Sequence, residues 1–255
     1  CYLFQDRGAA GRMPVLIPMT WEDGMPVIGE NGKVPAMVTN RCERPGWVCA
    51  PLYGSDDFRG EMKPFWEWNH IPDRSLLSYG SGRYTIRFGK TCESLTQAAN
   101  TLTQRTLYPG CFAAVTLDGS QLRDGDIAGL CALQDRWAFA GLACEAGELF
   151  VTLRARNENG PADGVEVERI SVPGDRVRLG VWFDFECMKD KATFYLQQNG
   201  AWRELGQGYR HQMTYLLTHF TGYRIALFGF AREGAGGSAA FEDFVYETEK
   251  PACYI

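Results

Sequence analysis

Residues 219–230 read HFTGYRIALFGF. Ile225, Leu227 and Phe228 form an apolar run of strand length, and Thr221-Gly222 ahead of them reads as a turn. His219 and Phe220 stand outside the run, on the connection, where a polar and a large aromatic ring are not needed for a strand. The same pattern recurs along the chain from Asp56 onward, in RYTIRFG, CFAAVTLDG, DIAGLCALQ, WAFAGLAC, LFVTLRARN, VEVERISV, VRLGVWFDFEC, ATFYLQQNGAW and AAFEDFVYE. Val165, Val167 and Arg169 alternate with Glu166 and Glu168, the period of a strand with two unlike faces. Helical periodicity is nearly absent, and SLTQAANTLTQ reads as a strand pair around Asn100. About ten strands separated by Gly-rich turns predict an all-β protein built of two packed antiparallel sheets.

The chain divides near residue 55. Within 13–29, MPVLIPMTWEDGMPVIG, two short apolar runs flank Glu22-Asp23-Gly24, a hairpin signal in which glycine supplies a positive φ. A lone hairpin is marginal in water. It must therefore dock, either on strands beyond this sequence or on the sandwich through Val15, Ile17 and Trp21. Residues 35–54 carry Pro35, Pro45, Pro51, Gly46 and Gly54 and read as an extended connector. The expected organisation is a hairpin segment at 1–34, a linker at 35–54 and a β-sandwich at 55–255.

Composition narrows the function classes. The 255 residues are 45% hydrophobic and 22% charged, ordinary for a globular protein. A formal net charge of −5 argues against nucleic acid, whose phosphates call for a basic face. No run approaches the ~18 apolar residues of a membrane span. Nine cysteines without a CxxC pair read as reduced thiols and point to the cytoplasm, with a Cys42–Cys49 disulfide as the secreted alternative. Cys1 rather than Met opens the sequence, so the chain is expected to start inside a longer reading frame or after processing.

Three constellations carry candidate chemistry. Asp184 and Glu186 in VWFDFEC are two apart, so a strand would point both to one face, opposite Phe183 and Phe185. They form a candidate glycosidase pair, against the plainer reading of a solvated polar face. Asp57 opens the sandwich and Glu242 and Asp243 close it; if the first and last strands meet, these acids have reason to share Ca²⁺. Trp66, Trp68 and His70 in PFWEWNHIPD are carbohydrate-contact candidates, because indole faces stack on sugar rings; core packing is the alternative for the tryptophans.

The residues also carry a resemblance. FQDRGAAGRMPVLIPMTWEDGMPVIGENGKVP at 4–35 resembles the last blade of the five-bladed propeller of glycoside hydrolase family 43. GSDDF, WEWNHIPDRSL, NTLTQRT and FEDFVYE resemble the concanavalin-like, jelly-roll type β-sandwich that follows it in the β-xylosidase and α-L-arabinofuranosidase group. The resemblance implies an inverting hydrolase acting on xylan or arabinoxylan oligosaccharides, with an Asp base, a Glu acid and a second Asp. Those carboxylates belong to earlier blades and are absent from this sequence, so no catalytic residue is expected here. The expected role is a non-catalytic part that buttresses the N-terminal propeller and lends its substrate pocket the loop His219, Phe220 and Thr221. At Arg7 the chain departs from the family pattern, which has His there, so no metal or water role is carried over to that position. A free-standing carbohydrate-binding module and a self-sufficient sandwich hydrolase are the competing readings, and assembly into a homo-oligomer stays open.

Overall fold

A computed structural model describes residues 1–39, 44–216 and 221–252. Nearly all regular structure is β, with four short 3₁₀ turns. Two antiparallel sheets face each other. The seven-stranded sheet runs, edge to edge, through Val165–Ser171, Glu148–Ala155, Ala138–Glu145, Asp126–Leu133, Arg224–Ala231, Leu102–Arg105 and Glu67–Trp68. The eight-stranded sheet runs through Ala201–Glu204, Lys191–Gln198, Arg176–Asp184, Gly110–Asp118, Ser238–Glu247, Arg83–Arg87 and Leu77–Gly80, with the short strand His211–Gln212 beside Lys191–Gln198. No helix among the described residues is long and apolar enough to cross a membrane.

The alternation of side chains along each strand builds the core. Cys111, Ala113, Val115 and Leu117 point between the sheets, as do Leu179, Val181 and Phe183 from the neighbouring strand. Ile225 and Leu227 meet them from the other sheet. Phe228 is equally buried but lies on the opposite face, in a second cluster with Phe139, Phe230 and Leu95. That outer cluster is roofed by the stretch around the 3₁₀ turn Leu95–Gln97, where the sequence reads as a strand pair. Asn100, with φ of 57°, ends the roof, and the strand Leu102–Arg105 follows alone. ATFYLQQNGAW, read as one strand, is a hairpin: Asn199 and Gly200 have φ of 51° and 80°, the double positive φ of a tight hairpin turn.

The sandwich closes on itself where Asp56 and Phe244 exchange two backbone hydrogen bonds of 2.9 Å. Before it, Tyr2–Asp6 pairs with Arg12–Leu16, and Met19–Glu22 pairs with Met25–Ile28 across Asp23-Gly24. The described part of 35–54 holds no helix or strand. Docking of the leading segment differs from expectation. The turn Gly8–Ala10 makes the contact, with Ala9 fully buried in the sandwich core, and Ile17 is buried too. Trp21 instead stays 65% exposed, on a strand whose four residues are all exposed.

Candidate functional site

A cleft of about 460 Å³ opens at the edge of the seven-stranded sheet, lined among others by Trp68, Asn69, His70, Asp135, Thr221 and Arg224. Beside it lies a hollow of about 390 Å³ formed by Phe4, Arg12, Pro14, Arg105, Thr221 and Arg224. Thr221 and Arg224 are shared. The leading segment and the sandwich thus form one continuous concave surface, with three sequence-predicted residues (Trp68, His70 and Thr221) on its lining. His219 and Phe220 lie outside the described residues.

Strand pairing places each group. Glu67 and Trp68 form the edge strand, paired with Thr103 and Leu102. Thr103 Oγ1 donates to the Glu67 carbonyl at 3.0 Å, which pins that edge. Arg224 opens its strand directly opposite Arg105. Two cations in facing positions repel. Glu67 resolves this by accepting from Arg224 Nη2 at 2.5 Å and from Arg105 Nη2 at 3.1 Å. Partial burial pushes the Glu67 carboxyl up, but the two guanidinium groups outweigh it and hold it below the usual carboxylate range. One carboxylate facing two guanidiniums leaves the rim with a positive charge, and Arg224 Nη1 is a buried donor without an acceptor. His70 Nε2 lies 2.8 Å from the Thr96 carbonyl, so that nitrogen carries the proton and donates. The cleft therefore offers an indole ring, hydroxyls and a partly exposed guanidinium group, a set suited to a polyhydroxylated ligand.

The junction is held by groups that sequence reading did not single out. Asp190 Oδ2 accepts from the Ala9 amide at 3.0 Å, and the Tyr223 amide donates to the Ala9 carbonyl at 3.0 Å. Gly222 has φ of 78°, and a Cβ there would lie 2.3 Å from the Ala10 carbonyl oxygen. Only glycine lets the segment bearing Thr221 come so close. Arg7 lies with its guanidinium 5.0 Å from the Tyr108 ring centroid. Contacts of this kind join residues far apart in sequence, so local pattern carries little trace of them; the glycine after Thr221 was the one visible signal.

Other expected sites are placed differently. Trp66 is a core residue, 6% exposed, with Nε1 donating to Asp56 at 2.7 Å. Trp68 packs against the same core but is only half-buried, so part of its ring remains on the cleft. Asp184 and Glu186 do share a face, with Phe183 and Phe185 buried opposite. Both are tied to Lys189 Nζ, at 3.3 and 3.0 Å, and one shared lysine does not create the unlike environments of an acid–base pair. Glu186 sits in a 3₁₀ turn rather than on the strand. The carboxylates expected to share calcium are not gathered. Glu242 lies between Arg83 Nε, at 2.7 Å, and Arg176. A bulge between Glu242 and Val245 turns Asp243, φ 48°, outward to solvent, and Asp57 faces Arg59 at 3.7 Å. Arginines occupy the space around Glu242 that a cation would need, so these residues do not fit calcium. Among the described residues no group of three or more His, Cys, Asp or Glu side chains is placed to hold a metal.

Over residues 55–247 the chain matches the family described as the β-xylosidase C-terminal concanavalin A-like domain. A bifunctional GH43-CE protein of Bacteroides eggerthii is 35% identical with a TM-score of 0.86, over 98% of this chain and 32% of its own. A GH43 glycoside hydrolase engineered to display both endo-xylanase and exo-arabinofuranosidase activity is 28% identical with a TM-score of 0.82, over 97% of this chain and 51% of its own. The xylan β-1,4-xylosidase of Bacillus halodurans, 17% identical over 93% of this chain and 47% of its own, shares the fold with a TM-score of 0.71. The chain thus spans between about a third and a half of the solved relatives it resembles. No curated protein sequence matches it.

Proposed function

The chain belongs to the family of β-xylosidase C-terminal concanavalin A-like domains, and from that premise we propose that it is the non-catalytic sandwich of a glycosidase acting on xylan or arabinoxylan oligosaccharides. In this reading the sandwich buttresses an N-terminal catalytic propeller and supplies one wall of its substrate pocket. The observation that carries it is the shared lining of the two hollows. Phe4, Arg12 and Pro14 from the segment that resembles a propeller blade meet Arg105, Thr221 and Arg224 from the sandwich. A propeller continuing from the first segment is thereby held against the side of the sandwich that bears Trp68, His70 and Thr221. The exposed apolar side chains of the leading strands, Tyr2, Phe4, Trp21 and Met25 among them, would be covered by that propeller.

The physical benefit is water exclusion and orientation. A wall closing the mouth of a propeller fixes the sugar and strengthens the polar contacts around the scissile bond. Trp68 supplies an apolar face, the partly exposed Arg224 guanidinium a polar one, and Thr221 stands at the junction. His219 and Phe220 precede Thr221 in the sequence and belong to the same proposal on that ground alone. Free cysteines among the described residues, buried Cys111 and Cys131 included, support a cytoplasmic setting.

The test uses a propeller-bearing protein that ends in this chain. Trp68→Ala and Arg224→Met are expected to lower kcat/KM on aryl-xyloside or aryl-arabinoside at least about tenfold, as loss of one hydrogen bond or stacking contact does. The unaltered 255-residue chain alone should show no turnover. Unchanged kcat/KM in both variants, with folding verified, would refute the pocket-wall role, and turnover by the chain alone would refute its being non-catalytic.

A further inference from the structure

The outer face of the eight-stranded sheet holds a second cleft, of about 370 Å³, whose floor is Trp182 and whose sides include Asp184, Lys191, Thr193 and Arg210. It is separate from the surface shared by the leading segment and the sandwich. We propose that this cleft is a binding site for a neutral oligosaccharide, with the Trp182 indole as the stacking platform.

The platform is built rather than incidental. Trp182 faces Phe112 on one neighbouring strand and Thr193 on the other. It packs against an outward cluster of Phe112, Tyr195 and Trp202 that has no part in the core between the sheets. Gly110 stands diagonally across, and a Cβ there would come within 2.8 Å of the indole's six-membered ring. The ring therefore lies down against bare backbone. It is partly buried, so the cluster fixes its orientation while the remaining surface lines the cleft. A flat apolar surface with hydrogen-bonding groups around its margin matches a sugar ring, whose C–H face is apolar and whose edge carries hydroxyls.

The charged groups set the polar margin. Asp184 and Glu186 share Lys189, Arg210 is forked onto Glu204, with Nη2 to Oε2 at 2.7 Å, and Lys191 and Lys250 stand on the same lining with no ion pair among the described residues. The lining thus carries both signs. A hydroxyl, which both donates and accepts, can bond to either kind of group, which a purely anionic or purely cationic ligand cannot. The volume falls within the range of about 300–1,000 Å³ usual for ligand sites.

Xylohexaose, and cellohexaose in parallel, would be titrated into the 255-residue chain by calorimetry, while the Trp182 indole N–H resonance is followed by NMR. Binding with a Kd of about 1 mM or tighter and a shift of that resonance is expected. Trp182→Ala should weaken binding at least about tenfold, and Trp182→Tyr, which keeps a stacking ring, should retain most of it. Trp47→Ala, an exposed indole outside both clefts, should leave it unchanged. If Trp182→Ala does not fold, the wild-type resonance shift and the Trp182→Tyr variant decide the matter. An unmoved Trp182 resonance at saturation, binding abolished by Trp68→Ala instead, or no binding at all would overturn the proposal. So would shortening of the oligosaccharide, which would make Asp184 and Glu186 a catalytic pair. The binding outcomes leave kcat/KM in the propeller-bearing protein untouched, so on them the two readings fail separately; shortening of the oligosaccharide alone would count against both.

Discussion

The Ala9 amide donates a 3.0 Å hydrogen bond to Asp190 Oδ2, joining positions 181 residues apart. Asp190 is buried and its Oδ1 has no partner, and that burial raises its carboxyl above the usual range in spite of the Ala9 bond. The bond seats the leading segment on the sandwich, with Ala9 filling a place in the core. Asp190→Ala is expected to lower stability by about 1–3 kcal/mol, the cost of leaving a buried amide unpaired. A chain beginning at residue 50 should still melt cooperatively, since the strands of both sheets pair within 56–247, but at a lower Tm. Thermal melts check both. Aggregation or a broad, non-cooperative melt of the shorter chain would show that the leading segment is part of the folding unit.

Two buried groups give the pH dependence opposite signs. Burial pushes His211 down to about 4 from 6.5, where its Nε2–H donates to the Arg136 carbonyl. The native state thus binds this proton less readily than the unfolded chain. Its contribution is complete above pH 6.5 and is lost as pH falls through 4, by about 3 kcal/mol in all. Burial pushes Asp126 up to about 6 from 3.8, so its ionisation penalty is absent below 3.8 and grows as pH rises to 6. Acidification from pH 6.5 to 4 therefore costs at His211 and is partly repaid at Asp126. Relative to wild type, Asp126→Asn should lose stability more steeply over that window, and His211→Gln less steeply. Denaturant melts at intervals between pH 4 and 7 measure the slopes; variants parallel to wild type would contradict both assignments.

The parts of this fold that could be read in advance are those set by local pattern. Ile225 and Leu227 enter the core because a strand alternates, and the Asp23-Gly24 turn forms because glycine tolerates its backbone. Asn199-Gly200 carried the same signal but lay inside a run long enough to pass for one strand. Trp66 and Trp68 could be assigned to one side of a strand, yet which side is interior depends on the partner sheet. Glu67, Arg105 and Arg224 escaped notice because their pairing spans 38 and 157 residues and no local period marks it. The bulge that parts Glu242 from Asp243 was likewise invisible, and with it the arginines that replace a shared cation.

Glu242 provides a direct test of that replacement. With Arg83 and Arg176 around it, addition of Ca²⁺ or of a chelator should leave Tm unchanged, since a ligand shifts Tm only by binding the native state. Glu242→Ala should lower stability by about 1–2 kcal/mol, between the values for exposed and buried pairs, because its side chain is buried while both arginines are half exposed. A rise in Tm with Ca²⁺ that disappears in Glu242→Ala would restore the metal reading.

Gly222 links the turn Gly8–Ala10 to the cleft, and its substitution separates strain from contact. An alanine at φ of 78° costs about 1–2 kcal/mol in any surroundings. Gly208, at φ of 96°, has no atom within 4 Å of the place its Cβ would take, so Gly208→Ala should show the backbone cost alone. Gly222→Ala adds a methyl 2.3 Å from the Ala10 carbonyl oxygen, backbone that cannot turn aside as a side chain would. The segment bearing Thr221 must then part from the turn Gly8–Ala10, taking the Tyr223-to-Ala9 hydrogen bond with it. Gly222→Ala should therefore destabilise by more than Gly208→Ala. Combined with Asp190→Ala its effect should be less than additive, because either change loosens the same joint. Equal losses at the two glycines, or full additivity with Asp190→Ala, would mean that the close approach seen here does not hold the leading segment to the sandwich.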